Sequence, residues 1–556
     1  MSVTRDPDRA FFGHPSGLST LFFTEMWERF SFYGMRAFLV FYMISPVAKG
    51  GLEMSATQSG IIYALFLSSV YMLSLPGGFI ADRFLGQRRA VIFGGLGILT
   101  GNVLLALPTS AGFYPGLAMI CLGTGLLKPN VSTIVGQLYK PEDVRRDAGF
   151  TIYYMGINIG ATLSPLLCGF LAQSDTFRTF LRGHGIDPNL CWHFAFGLAA
   201  IGMGAGIVQY MLGKGRLRGA GEHPTVPTDR REAQQGVNTL IMILGALGAV
   251  VVGAVVLALV GAEISQELIA NVFGIGLLLG AIALFAGMLS SARDAQEKRR
   301  VIAMIPLFLG GIAFFATFEQ AGSTLNLFAE QCVEHLGPSS FYQSINGIFI
   351  VAIAPIFAAV WLALARRKKE PSSVNKFAIG MVFTAFAFIV LLPTLGSIEQ
   401  IDTITKSGLK DAALTAAVAP HRVSVLFLFA LYFFQTLSEL CISPVGLSSM
   451  SKLAPRRMAG MVMGTWFLAT AIGNYLAGRA TALNDSLGFG FLFLLLIGVS
   501  FVVAAALFGI APLIKKMMGT GNGPDTDSTA AAERPADAVE LPVAKVRKIG
   551  DPVDRD

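Results

Sequence analysis

Between Leu21 and Tyr42 the chain reads LFFTEMWERFSFYGMRAFLVFY, a run long and apolar enough to cross a bilayer that nevertheless carries Glu25, Glu28, Arg29 and Arg36. A span needs about 20 mostly apolar residues. Each charge at its centre costs roughly 2.5–3.5 kcal/mol on insertion scales, so charges kept there are partnered and turned from lipid. Glu25, Glu28, Arg29, Phe32, Tyr33 and Arg36 recur at steps of three and four, which places them on one helical face. Glu25 stands one turn before Arg29, the favourable order for a carboxylate and a guanidinium. A single pair of this kind can simply hold helices together. Five ionisable or phenolic groups on one stripe point instead to a wet, functional face. Carboxylates beside a cation whose engagement can change between states are what proton coupling requires.

Other apolar runs hold fewer polar groups. Lys128-Pro129-Asn130 lies inside the fourth run, where Pro129 is able to break the helix. Asn158 lies in the fifth, Glu319-Gln320 in the seventh, Asn346 in the eighth, Glu439 in the tenth and Trp466 in the eleventh. An intramembrane Asn or Trp more often glues or packs helices than binds a ligand. An intramembrane ionisable group is a site candidate by default. Lys128 and Glu439, of opposite sign and in opposite halves of the chain, suggest a pair that forms and breaks across a central cavity.

The elements that must position these groups are helices. After the first stripe, apolar runs fall near 58–81, 90–108, 112–137, 148–172 and 191–213. Two Gly/Ala/Val/Leu-rich runs follow at 236–262 and 267–291, then six more near 301–328, 341–364, 375–396, 422–450, 458–481 and 486–514. Basic residues concentrate in alternate loops, among them Arg83/Arg88/Arg89, Lys140/Arg145/Arg146, Arg293 to Arg300 and Lys452 to Arg457. The positive-inside rule then expects cytoplasmic N- and C-termini.

With 556 residues, 53% hydrophobic and 14% charged, and a mean hydropathy of +0.62, the chain is an all-α polytopic membrane protein. Soluble domains carry about 25% charged residues. The net charge of +7 is explained by those loops and does not call for nucleic acid. The region 1–17 lacks the apolar core of a cleavable signal peptide. Cys121, Cys168, Cys191, Cys332 and Cys441 are odd in number and mostly intramembrane, and read as packing residues with no disulfide framework or zinc spacing. His14, His184, His193, His223, His335 and His421 lie in loops or at run ends without ligand spacing, so no metal and no cofactor is expected.

Six runs, a basic linker, two featureless runs and six more match the plan of major facilitator transporters, two six-helix bundles around a midplane site. The loop Gly78-x-x-x-Asp82-Arg83-x-x-Gly86-x-Arg88-Arg89 resembles their loop between the second and third helices, which latches helices and does not touch cargo. Five further segments narrow the resemblance. Glu25-Met-Trp-Glu28-Arg29-Phe30 resembles the E-x-x-E-R-F motif of the proton-dependent oligopeptide transporters. Ile152 to Gly160 resembles their F-Y-x-x-I-N-x-G pattern. Phe318 to Phe328, Ser438 to Gly446 and Gly464 to Asn474 resemble their seventh-, tenth- and eleventh-helix motifs. The resemblance covers about 15–515, including the helix pair inserted in bacterial members.

That resemblance implies a 14-helix major facilitator fold. Its expected parts are a cytoplasmic N-terminus (1–17), a first bundle (18–213), a linker (214–235), the inserted pair (236–292), a second bundle (300–515) and a disordered tail (516–556). It also implies a monomer in the bacterial inner membrane that imports di- and tripeptides with protons by alternating access. Glu25, Glu28, Arg29 and Glu319 would serve proton coupling, with Glu319 and Arg36 as an outer gate. Arg36 and Lys128 would hold the peptide carboxylate, and Glu439, Asn158 and Asn346 its amino group. Tyr33, Tyr71, Ser443 and Trp466 would line side-chain pockets. Reading the termini of a zwitterion rather than its side chains lets one site take many sequences.

There are departures. Phe32 stands where many members have tyrosine, Gly347 where proline is common, and Ser438 where glycine is common. The second run has no histidine, so carboxylates should carry the proton. The same fold could move another cargo: nitrate, an amino acid or a peptide-like drug. Glu439 favours peptides, since a pure anion would not need it. A membrane-embedded enzyme would need a nucleophile–base or metal constellation at membrane depth, which the histidine positions do not supply, so no catalytic residue is expected. A non-transporting nutrient sensor is neither supported nor excluded by the tail.

Overall fold

A computed structural model of the chain describes residues 9–140, 143, 145–224, 265–407, 409, 411–453 and 459–517. The expected first inserted span, 236–262, and the tail beyond 517 lie outside the described residues. Among the described residues the structure is helical and contains no strand; its β-type pairings are isolated bridges, Phe11 with His14 and Val333 with Val423.

The long helices are α1 (Ser16–Ile44), α2 (Ala56–Met72), α3 (Gln87–Ala106), α4 (Phe113–Gln137), α5 (Arg146–Gln173) and α6 (Cys191–Gly213). There follow α7 (Gln266–Ser291), α8 (Ala295–Phe318), α9 (Ser344–Arg366), α10 (Ser373–Ile389), α11 (Leu426–Leu453) and α12 (Ala459–Met517). Gly488, at φ 79°, breaks the last into two spans, matching the two runs read near 458–481 and 486–514. Eleven helical segments among the described residues are long and apolar enough to cross a membrane. The chain is a multi-pass membrane protein.

Several entries into the bilayer are capped, because the first amides of a helix lack intrahelical acceptors. Ser55 and Gln58 form a reciprocal capping box at α2, Ser265 accepts from Leu268 at α7, and Asp294 accepts from Glu297 at α8. Each such cap is worth about 1 kcal/mol.

α1 packs against α5 and α6, and α3 against α4 and α6, making one bundle; α8, α10 and α11 pack with α12 or with each other, making a second. The bundles meet where α2 lies along α12 and α5 along α9. Glycine sets the first seam: a Cβ on Gly60 would come 2.7 Å from the Gly478 carbonyl, and one on Gly478 would come 2.4 Å from the Ala64 Cβ. α7 lies on the same seam and touches both α2 and α12. It is tied to α12 by Tyr475 Oη donating to Ala270 O at 2.9 Å and by Arg479 pairing with Glu267 at 2.8 Å.

Two helices differ from the expectation. Pro129 does not break α4, which runs on to Gln137. A helix passes through proline when the freed carbonyl and the ring are accommodated by neighbours, and here the Gly125 carbonyl abuts Gly77 so closely that a Cβ there would lie 2.1 Å away. Conversely, the single run expected at 301–328 is interrupted. α8 ends at Phe318, a 3-10 turn spans Glu319–Gly322, Ser323 leaves helical geometry, and a new helix runs Thr324–Cys332. A close approach falls at the same point: a Cβ on Gly322 would lie 1.7 Å from Tyr63 Oη and 2.8 Å from Arg36 Nε.

Outside the membrane, a short N-terminal hairpin is pinned to the loop after α4. His14 Nδ1 is hydrogen-bonded to Tyr139 Oη at 3.0 Å, and Arg145 donates to the Gly13 carbonyl at 3.1 Å while pairing with Asp143. Arg145 holds the Asp143 carboxyl low, at about 2, and burial pushes the His14 ring down and the Tyr139 phenol up to about 12. The loop Gly78 to Arg89 is also latched. Gln87 donates to Asp82 at 2.9 Å, Gln137 to Gln87 at 2.9 Å, and Arg88 reaches the linker at Ala220 O, 2.7 Å away.

Candidate functional site

The α1 stripe is buried rather than wet: Glu25, Glu28, Arg29 and Arg36 are 2%, 0%, 3% and 6% exposed. Buried charge on this scale survives only when paired and hydrogen-bonded, and it is. Arg29 makes a two-pronged contact with Glu28, with Nη2 donating to Oε1 at 2.7 Å, and its Nε lies 3.3 Å from Glu25 Oε1. The second oxygen of Glu25 accepts from Tyr153 Oη at 2.7 Å. Two glycines on α5 allow this approach. Cβ atoms on Gly156 and Gly160 would lie 2.9 Å from Phe22 O and 2.3 Å from Met26 O, the close backbone contact that small residues four apart permit.

Lys128, on α4, holds its ammonium 3.9 Å from the centre of the Tyr71 ring. A desolvated cation over an aromatic face is worth up to about 2 kcal/mol. Tyr33 lies beneath two guanidiniums, 5.8 Å from Arg29 and 5.6 Å from Arg36. Phe32, on the same stripe, lies under Arg29 as well, 5.2 Å from the guanidinium, and stacks near Phe66 of α2 with centroids 6.2 Å apart.

Arg36 joins the two bundles. Its Nη2 pairs with Glu319 in the 3-10 turn after α8, and its Nε donates to Tyr63 Oη at 2.7 Å. The same end of the molecule is closed by neutral contacts. Asn326 and Gln343 donate to Ala37 O at 2.9 and 3.2 Å, and Ser344 donates to Thr162 O at 2.7 Å.

In the second bundle Asn346 donates to Glu439 Oε2 at 3.2 Å and to Thr436 Oγ1 at 3.1 Å. Tyr154 of the first bundle stands against the Glu439 carboxylate and beside Asn158, so the seam between α5 and the second bundle carries polar groups from both sides. Asn158 itself donates to its own helix at Tyr154 O, 3.0 Å.

The expected Lys128–Glu439 pair is not among the ion pairs of the described residues. Lys128 rests on Tyr71 and Glu439 on Asn346, while the charge pair across the bundles is Arg36–Glu319. Glu319 makes this pair from the 3-10 turn that follows α8. Trp466 is packed into the second bundle's core against Phe315 and Phe377, with a Cβ on Gly446 only 2.3 Å from its ring. Ser443 is half-buried one turn beyond Glu439. Tyr63, Tyr153 and Thr436 also belong to the polar network and were missed in the sequence, because a hydroxyl in an apolar helix carries no spacing that distinguishes a partner from a packing residue.

The arrangement holds a cationic and carboxylate-rich set on one bundle, a carboxylate and an amide on the other, and an ion pair between them. The POT family model matches residues 88–488. The peptide transporter YePEPT of Yersinia enterocolitica is 37% identical over 84% of this chain and 88% of its own. The di-/tripeptide transporter of Lactococcus lactis subsp. cremoris is 32% identical over 92% of this chain and 98% of its own. A crystal structure of a POT family transporter in complex with a thioalcohol-conjugated peptide superposes with TM-score 0.77 at 34% identity, covering 91% of this chain and 98% of that one. Charged helix, two-bundle plan and these similarities agree: the chain belongs to the POT family of transporters.

Proposed function

We propose that the protein imports di- and tripeptides coupled to protons, cycling between outward- and inward-open states, and that it works as a transporter and not as an enzyme. The observation that carries this reading is the Arg36–Glu319 pair, buried and shared between the bundles. An ion pair of this kind stabilises one closed end, and a proton on Glu319 removes the charge that Arg36 answers. With both termini cytoplasmic, as the basic loops indicate, α1 runs outward and the pair closes the outer end. A multi-pass monomer in the bacterial inner membrane fits this sidedness.

A small peptide is a zwitterion and needs opposite charges at a fixed separation. Lys128 and Arg36 supply the cationic pole, and Glu439 with Asn346 and Asn158 the anionic and amide pole. Tyr33 and Tyr71 lie between as aromatic walls. Ser443, beyond Glu439, would touch a side chain. Trp466 would act from behind by supporting α12, given its packing. Glu25, Glu28 and Arg29 form the proton-linked set, since protonating either carboxylate changes what Arg29 holds. One proton moving inward through 100 mV supplies about 2.3 kcal/mol, enough for about 50-fold accumulation.

The named relatives include a peptide transporter and a di-/tripeptide transporter, which favours peptides over nitrate, an amino acid or a drug as the ordinary cargo. Competition tests the cargo. Labelled dialanine uptake into proteoliposomes should yield to trialanine and not to free alanine. Equal competition by alanine would overturn the peptide assignment.

A further inference from the structure

We propose that Tyr153 is a positioning residue for proton coupling, its phenol holding the Glu25 carboxylate in the charged, Arg29-facing arrangement until a proton arrives. The inference rests on the transport reading above and deepens it. Each oxygen of Glu25 has a partner of its own: Oε2 accepts from Tyr153 Oη at 2.7 Å, and Oε1 faces Arg29 Nε at 3.3 Å. Both residues are buried, Tyr153 at 5% exposure and Glu25 at 2%. A hydrogen bond to a charged acceptor away from water is about twice as strong as a neutral one.

The contact is built by the backbone. Gly156 and Gly160 bring α5 against α1 at Phe22 and Met26, and Tyr153, one turn before Gly156, is thereby laid beside Glu25. The charged and titratable groups facing Glu25 are Arg29 and Glu28 on its own helix, Lys128 on α4 and Tyr153 on α5. α6, packed on another side of α1, meets it through Gln209 at Thr24 and brings a neutral amide. Tyr153 is thus the neutral hydrogen-bond donor in a set of charges.

A phenol, with an ordinary value near 10, keeps its proton throughout and acts toward Glu25 as a donor. A carboxylate accepts that donation better than a carboxylic acid does. A proton arriving on Glu25 from solution must therefore displace part of this bond, and its departure to the other side restores the bond. Aligning Ile157-Asn158-Ile159-Gly160 on the I-N-x-G part of the F-Y-x-x-I-N-x-G pattern puts phenylalanine at position 153. The hydroxyl is then a feature of this chain, whereas Phe32 on α1 gives one up.

The test is the pH profile of gradient-driven dialanine uptake by Tyr153→Phe, which removes one oxygen and keeps the ring. Losing the donor should move the pH of half-maximal uptake by about one unit to the alkaline side, with counterflow exchange within about twofold of the wild type. In a Glu25→Gln background the same change should add no further effect on counterflow. An unmoved midpoint in well-folded Tyr153→Phe, or an additive loss of counterflow in the Glu25→Gln background, would overturn the proposal. If wild-type uptake ignores the gradient, the transport reading fails and takes this one with it. Gradient-driven wild-type uptake with an unmoved variant fails Tyr153 alone.

Discussion

Arg36 near the far end of α1 and Glu319 in the turn after α8 are ion-paired between the two bundles, with Tyr63 hydrogen-bonded to the same guanidinium. Both charged side chains are buried, so removing one leaves the other without an answer at a cost of about 3–5 kcal/mol to the closed arrangement. Glu319→Gln should favour opening of this end. The checking measurement is the labelling rate of a single cysteine placed at Ala37, which should rise at least tenfold. An unchanged rate would show that the neutral contacts at Ala37 O hold the end shut by themselves.

Glu25 has no role in holding the bundles together, since its partners Arg29 and Tyr153 lie on α1 and α5 of one bundle. Glu25→Gln should therefore abolish proton-driven uptake and spare counterflow exchange, which needs binding and reorientation but no net proton movement. Loss of both in equal measure would assign Glu25 to binding or folding.

Lys128 rests on Tyr71 with no carboxylate paired to it among the described ion pairs, which leaves its charge available to a peptide carboxylate. Lys128→Ala should weaken dipeptide binding by at least tenfold in a calorimetric titration. Asp82→Asn, at the latch where Gln87 donates to it, should change binding by less than twofold. Equal effects would take Lys128 out of the binding site.

The α2–α12 seam depends on two glycines facing each other at Gly60 and Gly478. Gly478→Val places methyl groups where the Ala64 Cβ already stands, and overpacking of this kind costs about 1–3 kcal/mol. The variant should remain folded by size-exclusion chromatography and lose at least tenfold in uptake rate, because the two helices can no longer approach. Wild-type uptake would show that the seam tolerates a wider spacing.

The N-terminal hairpin gives a pH prediction outside the membrane. Burial and the neighbouring Arg145 lower the pKa of His14, so the docked hairpin binds fewer protons than the free one. Docking is then strongest above the ordinary histidine value of about 6.5 and loosens as pH falls through it toward the lowered value. A histidine NMR titration should show His14 changing charge below 6.5, and proteolysis within the hairpin should quicken under the same acidification. A midpoint at or above 6.5 would contradict the burial of His14 beside Arg145.

Much of this architecture is legible in the sequence because the bilayer permits so few backbone solutions. Runs such as Gln266–Ser291 or Ser344–Arg366 must be helices, and the charges on α1 announce a site by their cost alone. Partners are harder to read. Glu319 is legible as an intramembrane charge, but the interrupted helix around it and the approach of Gly322 to Tyr63 join residues far apart in the chain, which no local pattern announces. Pro129 looked like a helix breaker, yet α4 continues because Gly77 leaves room beside the Gly125 carbonyl. Trp466, expected to line a pocket, packs against Phe315 and Phe377, whereas Phe32 both packs near Phe66 and lies under the Arg29 guanidinium, since an aromatic ring can serve either end and only its neighbours decide.

Accumulation of labelled dialanine in proteoliposomes, with and without an inward proton gradient, is the most direct test of proton-coupled peptide import. The account predicts uptake above equilibrium only when the gradient is imposed, and its collapse when a protonophore dissipates the gradient. Equal uptake in the presence and absence of the gradient would contradict it, leaving the fold and family in place without the coupling.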